Sequence, residues 1–114
     1  MARPKLTPEI AYSLAWRLYA ATGERDTRLE SVIAQNPMWA YLYARDILKG
    51  PWPEAESMIA QDATWAYWYA KDILKSPWPE AEEVIAQDAT WRCFYARDVL
   101  KTPEDHARFK EVQR

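Results

Sequence analysis

The sequence predicts an all-α protein: a short α-solenoid of about four antiparallel helical hairpins with degenerate N- and C-terminal caps. The first observation that supports this prediction is an internal repeat. Residues 51–76 return as residues 77–102 with 18 of 26 positions identical, and residues 25–50 match 51–76 at 14 of 26. A period of this length is typical of one small supersecondary unit that stacks on copies of itself. The second observation is that each unit carries the start and stop signals of two helices.

The longer helix of each unit begins after a short polar side chain. Asn36, Asp62 and Asp88 each precede a run with Trp, Tyr and Ala at helical spacing. Such a side chain accepts hydrogen bonds from the free N–H groups of a first helical turn. Each run ends on a lysine, which suits the negative end of a helix, and on a following X-Pro pair, which stops the helix.

The shorter helix begins at Pro53 or Pro79, because proline suits the first turn of a helix. Glutamates follow within that turn (Glu54, Glu56, Glu80 and Glu82). They are interpreted as partners of the positive helix end and not as metal ligands or a general acid–base pair. The short loops predict that the two helices of a unit run antiparallel.

The whole chain is predicted to be one helical-repeat domain. The final segment resembles a degenerate helix with Phe109 and Val112 facing inward, and polar terminal repeats keep an open stack soluble. The predicted boundaries are an N-terminal capping helix in 1–24, repeats 25–50, 51–76 and 77–102, and a C-terminal capping helix in 103–114.

Composition restricts the classes of partner. The net charge is −2, with 15 basic and 17 acidic residues intermixed, so no strong field attracts nucleic acid or anionic lipid. No apolar run reaches the ~20 residues of a membrane span, and the N-terminal residues lack the apolar core of a signal peptide. We therefore expect a cytoplasmic protein that does not contact a membrane.

The residues of catalytic chemistry are missing from the sequence. His106 is the only histidine, Gly23 and Gly50 are the only glycines, and Cys93 is the only cysteine. These counts exclude a glycine-rich phosphate loop, an internal disulfide and a cysteine-based metal cluster. Cys93 aligns with a tyrosine in the other units, so a buried or half-buried packing thiol is expected. We expect no enzyme, no cofactor and no metal.

One row of apolar side chains lies on the charged side of the longer helices. This apolar row consists of Leu42, Trp68 and Phe94. An apolar ridge rimmed by polar groups is typical of an interaction site. The alternative is that the linker tryptophans, Trp52 and Trp78, fold over the row and bury it. The candidate protein-binding residues are Leu42, Arg45, Trp68, Lys71, Asp72, Phe94, Arg97 and Arg92.

Arg92 is a candidate for a different reason. It replaces Ala66 of the preceding unit and enters the apolar arc of its helix. Two interpretations stay open: the last full unit meets a different partner, or Arg92 packs against the C-terminal cap.

The motif string from Trp39 to Ala60 resembles short tandem helical repeats of bacteriophage and prophage proteins, whose functions are mostly unassigned. The resemblance covers about residues 28–102 and does not extend to either end. The unit is also loosely similar to a tetratricopeptide-type hairpin, but it lacks the longer period of that family, so no peptide-binding positions carry over. The resemblance implies a phage or prophage origin, hence the cytoplasm of a host cell, and no activity.

These features predict a non-catalytic protein–protein interaction module that binds a host protein, such as a defence enzyme, and inhibits or redirects it. One alternative is a structural or scaffold protein that self-associates through the same apolar row. A single-stranded nucleic-acid binder is the weakest alternative. Its stacking aromatics would reach only about three bases, and the acidic balance opposes affinity.

Overall fold

The computed structural model describes residues 5–113, and all regular structure within them is helical. Residues 1–4 and 114, which belong to the predicted terminal caps, lie outside the described residues. The prediction of an all-α chain with eight helices is confirmed for this range. The helices are α1 (Pro8–Thr22), α2 (Thr27–Ile33), α3 (Pro37–Tyr43), α4 (Pro53–Ile59), α5 (Ala63–Tyr69), α6 (Pro79–Ala86), α7 (Ala89–Asp98) and α8 (Pro103–Val112).

The predicted helix starts are confirmed. The Asn36 side chain accepts from the backbone N–H of Met38 at 2.9 Å at the start of α3. Asp62 and Asp88 cap α5 and α7 in the same way. Because these side chains satisfy N–H groups that have no partner inside the helix, each one defines where its helix begins.

The ends of α3 and α5 differ from an ordinary helix end. Both continue into π-helical turns, Ala44–Leu48 and Ala70–Leu74. The next residues, Lys49 and Lys75, adopt left-handed backbone conformations with φ of 56° and 55°. This conformation is unfavourable for a residue with a Cβ atom, so the surrounding packing must impose it. Helix α7 has no such turn and ends at Asp98.

The helices contact one another in a regular order. Each longer helix contacts the next one, in the pairs α1–α3, α3–α5 and α5–α7, and α8 contacts α6. Each shorter helix packs against the longer helices that precede and follow it. The molecule measures 54 × 30 × 19 Å, with a radius of gyration of 15.9 Å. A compact chain of this length has a radius of gyration of about 13 Å, so the protein is elongated in one direction.

The core is made of small and aromatic side chains from the longer helices and isoleucines from the shorter ones. Ile33, Ile59 and Ile85 occupy equivalent positions on α2, α4 and α6, and each has no exposed surface. Burial of such a side chain stabilises the fold by about 1.5–3 kcal/mol. A helix as short as α4 therefore holds its conformation through packing and not through its own hydrogen bonds.

Candidate protein-binding surface

Tyrosine hydroxyls connect successive longer helices. Three tyrosines at equivalent positions each donate a hydrogen bond to an aspartate carboxylate on the next longer helix or its π-helical turn: Tyr12 to Asp46 at 3.1 Å, Tyr41 to Asp72 at 2.7 Å, and Tyr67 to Asp98. Hydrogen bonds to an ionised acceptor are stronger than those between neutral groups. Asp72 is predicted as a binding residue, and in the structure its carboxylate accepts the hydrogen bond from Tyr41.

The same three tyrosine rings also pack on tryptophans of the next longer helix. The ring centroids are 5.2 Å apart for Tyr12 and Trp39, and 5.1 Å apart for Tyr67 and Trp91. Burial, and then the hydrogen bond to the carboxylate, raises the pKa of Tyr67 to about 12. Each tyrosine is thus held by a ring and a carboxylate of its neighbour, which orients successive helices relative to each other.

A second set of tyrosines connects the longer helices to the shorter ones. These tyrosines are fully buried, and each donates to a glutamate 13 residues earlier: Tyr43 to Glu30, Tyr69 to Glu56, and Tyr95 to Glu82. The last two also accept a hydrogen bond from the backbone N–H of a linker tryptophan, Trp52 or Trp78. Burial raises the pKa of all three tyrosines above the usual range.

Sequence reasoning missed this second set. The interpretation of Glu56 as a partner of the positive helix end does not include its hydrogen bond with Tyr69. The constant separation of 13 residues between glutamate and tyrosine in every unit is the signal that could have indicated the pair.

The apolar row lies at the surface but is not fully exposed. Leu42, Trp68 and Phe94 are half-buried and pack against the core. Trp68 lies 5.1 Å from Tyr67 and 6.2 Å from Trp91, measured between ring centroids. The partial cover of the row therefore includes rings of its own and the adjacent longer helix.

The linker tryptophans are buried elsewhere. Trp52 packs on Tyr43 at 4.7 Å, and Trp78 packs on Tyr69 at 5.0 Å between ring centroids. Both belong to the junction between longer and shorter helices, where their N–H groups are also bonded. The interpretation that they fold over the apolar row is not what the packing shows.

Two of the predicted basic residues contact side chains of the apolar row. The Lys71 ammonium lies 5.1 Å from the centre of the Trp68 ring, and the Arg97 guanidinium lies 4.6 Å from that of Phe94. Arg45 lies 5.5 Å from the centre of the Tyr41 ring. Such contacts between a cation and a ring are attractive. The structure thus brings aromatic and basic side chains together along one strip.

Aspartates hold two of these cations in place. Arg45 donates to Asp46 at 2.7 Å, and Arg97 donates to Asp98 at 2.7 Å, each through two nitrogens. The hydrogen bond from Arg45 lowers the pKa of Asp46, and the one from Arg97 lowers the pKa of Asp98. Because the guanidinium groups are already positioned, a partner that binds them loses less side-chain entropy.

Arg92 lies beside the C-terminal cap. Its Nη1 donates to the carbonyl of Ala86 at 3.3 Å. It also lines a cavity of about 370 Å³ together with Val112 and Gln113 at the end of α8. Arg92 therefore lies near the C-terminal cap, while its hydrogen bond is made to α6.

The prediction that Cys93 is a packed thiol was wrong, because its side chain is exposed. Tyr67, at the equivalent position on α5, packs against α7. Among the described residues, no further longer helix follows α7 to receive the side chain of residue 93. The loss of the tyrosine at this position matches the loss of its acceptor.

A second apolar surface was missed by sequence reasoning. The large apolar side chains that the structure exposes, within the described range, all lie on or just before α1: Leu6, Ile10, Leu14, Trp16 and Tyr19, at 36–47% exposure. Ile10 and Leu14 align with Trp39 and Tyr43 of α3, which pack against the preceding helices. Since no described helix precedes α1, the equivalent face of α1 stays open.

The comparisons with known proteins return nothing: no protein-family model, curated protein or solved structure matches this chain. Within residues 5–113, no helix combines the length and the apolar character that a bilayer span requires. The same range contains no group of three or more His, Cys, Asp or Glu side chains arranged to hold a metal ion.

Proposed function

We propose that this protein is a non-catalytic protein-binding module, built as an open stack of helical hairpins in the manner of a short α-solenoid. Three features support the stack: each longer helix contacts the next, equivalent tyrosines make equivalent bonds along the chain, and the shape is elongated. Each unit then buries its apolar side against its neighbours and leaves a regular outer surface for contact.

The observation that carries the binding function is the strip of rings and cations along the apolar row. Aromatic and arginine side chains dominate the energetics of protein interfaces. Trp68 and Phe94 each keep part of their surface in solvent. Arg45 and Arg97 keep about half or more of their side-chain surface exposed, at 48% and 67%.

The resemblance to phage repeats favours a host protein as the partner. A protein that contributes only a surface acts by occupying a surface of its partner, so the proposed effect is inhibition or redirection of that partner.

Affinity capture from a bacterial lysate tests the role of the row. The protein is compared with a Trp68→Ala, Phe94→Ala double variant and with Arg28→Ala, an exposed control on α2 whose side chain is 91% accessible. We expect one partner to be recovered by the wild type and the control, and at least about tenfold less by the double variant. Equal recovery of that partner by all three proteins would remove the row from consideration. Circular dichroism of each variant checks that the helices are intact.

Self-association is a second candidate, and the open face of α1 favours it. If two α1 helices pack antiparallel with Ser13 at the twofold axis, Glu9 of one copy faces Arg17 of the other. The apolar side chains of α1 would flank this contact, and a twofold interface requires a surface that is complementary to itself in this way. Sedimentation equilibrium over a concentration series checks it, with Ile10→Ser, Leu14→Ser as the variant. A wild type that stays monomeric at every concentration rejects this candidate.

A further inference from the structure

Three glutamates at equivalent positions on the shorter helices differ in their cationic partners. The Glu30 carboxylate accepts two hydrogen bonds from the Arg25 guanidinium, at 2.6 and 3.3 Å. Glu82 binds Arg108, which reaches back from α8, at 3.0 and 2.6 Å. Glu56, between them in sequence, makes no ion pair with any described residue.

The carboxylate of Glu56 opens onto a groove of about 460 Å³. This Glu56 groove is lined by Glu56, Ser57, Ala60, Leu74, Trp78 and Glu80. The equivalent groove at Glu30 contains Arg25 among its lining residues. Beside Glu82, α8 packs against α6 and inserts Arg108. The equivalent glutamates at the other two positions therefore each bind an arginine of this chain.

We infer that the Glu56 groove is a binding site for an arginine side chain of a partner protein. The inference goes beyond the proposed function, because it concerns the shorter helices and uses none of the residues of the apolar row. Glu80, in the first turn of α6, also lines the groove and adds negative charge there. With no basic residue lining the groove, its charge is complementary to a cation.

The hydrogen bond from Tyr69 leaves room for the guanidinium. Tyr69 donates to one oxygen of Glu56 at 2.6 Å. In the equivalent arrangement at Glu82, one oxygen accepts both from Tyr95 and from Arg108 at 2.6 Å, and the other oxygen accepts from Arg108 at 3.0 Å. A glutamate in this position can thus hold its tyrosine and an arginine at once.

The geometry favours arginine over lysine. Both arginines that this chain places on equivalent glutamates use two nitrogens on the two carboxylate oxygens. Only the planar guanidinium offers that paired arrangement, whereas an ammonium is a point charge. The apolar walls of the groove, Ala60 and Leu74, can cover the methylene stem of the ligand.

Nuclear magnetic resonance titration of the full chain with N-acetyl-arginine amide tests the site. N-acetyl-citrulline amide, which has nearly the same shape without the charge, serves as the control ligand. The variants are Glu56→Gln, whose amide oxygen can still accept from Tyr69, and Ala60→Leu, which fills the groove without touching the carboxylate. Glu24→Gln, at an exposed position before α2, is the matched control.

We expect the arginine probe to shift the amide signals of Glu56, Ser57 and Ala60 saturably in the wild type and in Glu24→Gln. Affinity should fall about tenfold or more in Glu56→Gln and in Ala60→Leu, and citrulline should give no saturable shift. The inference is overturned if the wild type shows no shift at these residues, if citrulline binds equally well, or if both groove variants bind like the wild type. Should Glu56→Gln unfold, the Ala60→Leu titration decides alone.

Discussion

Residues 51–76 and 77–102 share 18 of 26 residues, yet they make different contacts at three equivalent points. Tyr67 is bonded to the next helix, whereas its counterpart Cys93 is exposed. Helix α5 continues into a π-helical turn, whereas α7 ends as an ordinary α-helix. Glu56 has no cationic partner within the described chain, whereas Glu82 binds Arg108.

All three differences coincide with a difference in the segment that comes after each unit in the chain. Residues 51–76 precede a Pro-Trp-Pro linker and another longer helix, and residues 77–102 lead into Pro103 and α8. The π-helical turns occur only in the two units that precede a Pro-Trp-Pro linker, although all three units have similar helix ends. The neighbour of a unit therefore decides its local structure as much as its own residues do.

The largest expected effects concern two side chains that pack on equivalent buried tyrosines. One is the linker tryptophan Trp78, and the other is Phe109 of α8. Trp78 packs on Tyr69 at 5.0 Å, and Phe109 packs on Tyr95 at the same ring-centroid distance. We expect Trp78→Ala and Phe109→Ala each to lower the free energy of unfolding by about 3–5 kcal/mol, since both remove a buried aromatic side chain. Urea denaturation measures this.

His106→Ala, on the exposed face of α8, is the control and should change the free energy of unfolding by less than about 0.5 kcal/mol. If only Phe109→Ala had a small effect, Phe109 would not stabilise the fold beside Tyr95 as Trp78 does beside Tyr69.

The next effect concerns the buried tyrosines. Tyr69→Phe and Tyr95→Phe each leave the N–H group of a buried linker tryptophan without its acceptor. We expect each variant to lose about 1–3 kcal/mol of unfolding free energy, because an unsatisfied buried donor costs its desolvation. The two losses should be similar, since Glu56 can reach water and Glu82 keeps Arg108. Thermal and urea unfolding of both variants checks this, and a much smaller loss for Tyr95→Phe would contradict it.

A smaller effect on stability should distinguish the helix end at Lys75 from the one at Lys101. Lys75 has a left-handed backbone and Lys101 does not. We expect Lys75→Gly to stabilise the protein by about 1 kcal/mol, because glycine adopts a positive φ without a steric penalty. Lys101→Gly should give no stabilisation and serves as the matched control. Equal effects of the two substitutions in denaturation experiments would mean that the conformation at residue 75 carries no steric cost for lysine.

The smallest expected effect on stability comes from tyrosine ionisation. The pKa of a tyrosine should nevertheless differ clearly between positions 67 and 93. Burial and a hydrogen bond to Asp98 raise the pKa of Tyr67 to about 12. In a Cys93→Tyr variant the new hydroxyl has no such acceptor, so it should ionise near a pKa of about 10. The difference in tyrosinate absorbance between variant and wild type during an alkaline titration measures it directly.

The same pKa values determine the direction in which the free energy of unfolding changes with pH. A tyrosine whose pKa is higher in the folded chain contributes stability that is fully present below pH about 10. For Tyr67 this contribution is lost as the pH rises through about 12. Urea denaturation should therefore show a wild type that weakens above pH about 10, and Tyr67→Phe should reduce that weakening.

The sequence by itself determined the helices. Capping side chains such as Asn36, prolines such as Pro53 and the period of the repeat act locally or between neighbours, so they could be recognised in the sequence alone. The candidate row was found in the same way, since Leu42, Trp68 and Phe94 recur at one position of the repeat. The degree of exposure of these three residues could not be predicted, because it depends on rings of the adjacent helix.

Only the tertiary structure decided which polar groups meet. The bond from Tyr41 to Asp72 spans 31 residues, and the one from Arg108 to Glu82 spans 26. Such contacts depend on the orientation of whole helices, which local signals do not specify. The exposed thiol of Cys93, the open face of α1 and the lack of a cation at Glu56 within the described chain have the same origin. Each results from the absence of a described neighbour or partner at one position of the fold, and a residue's own sequence context does not carry that information.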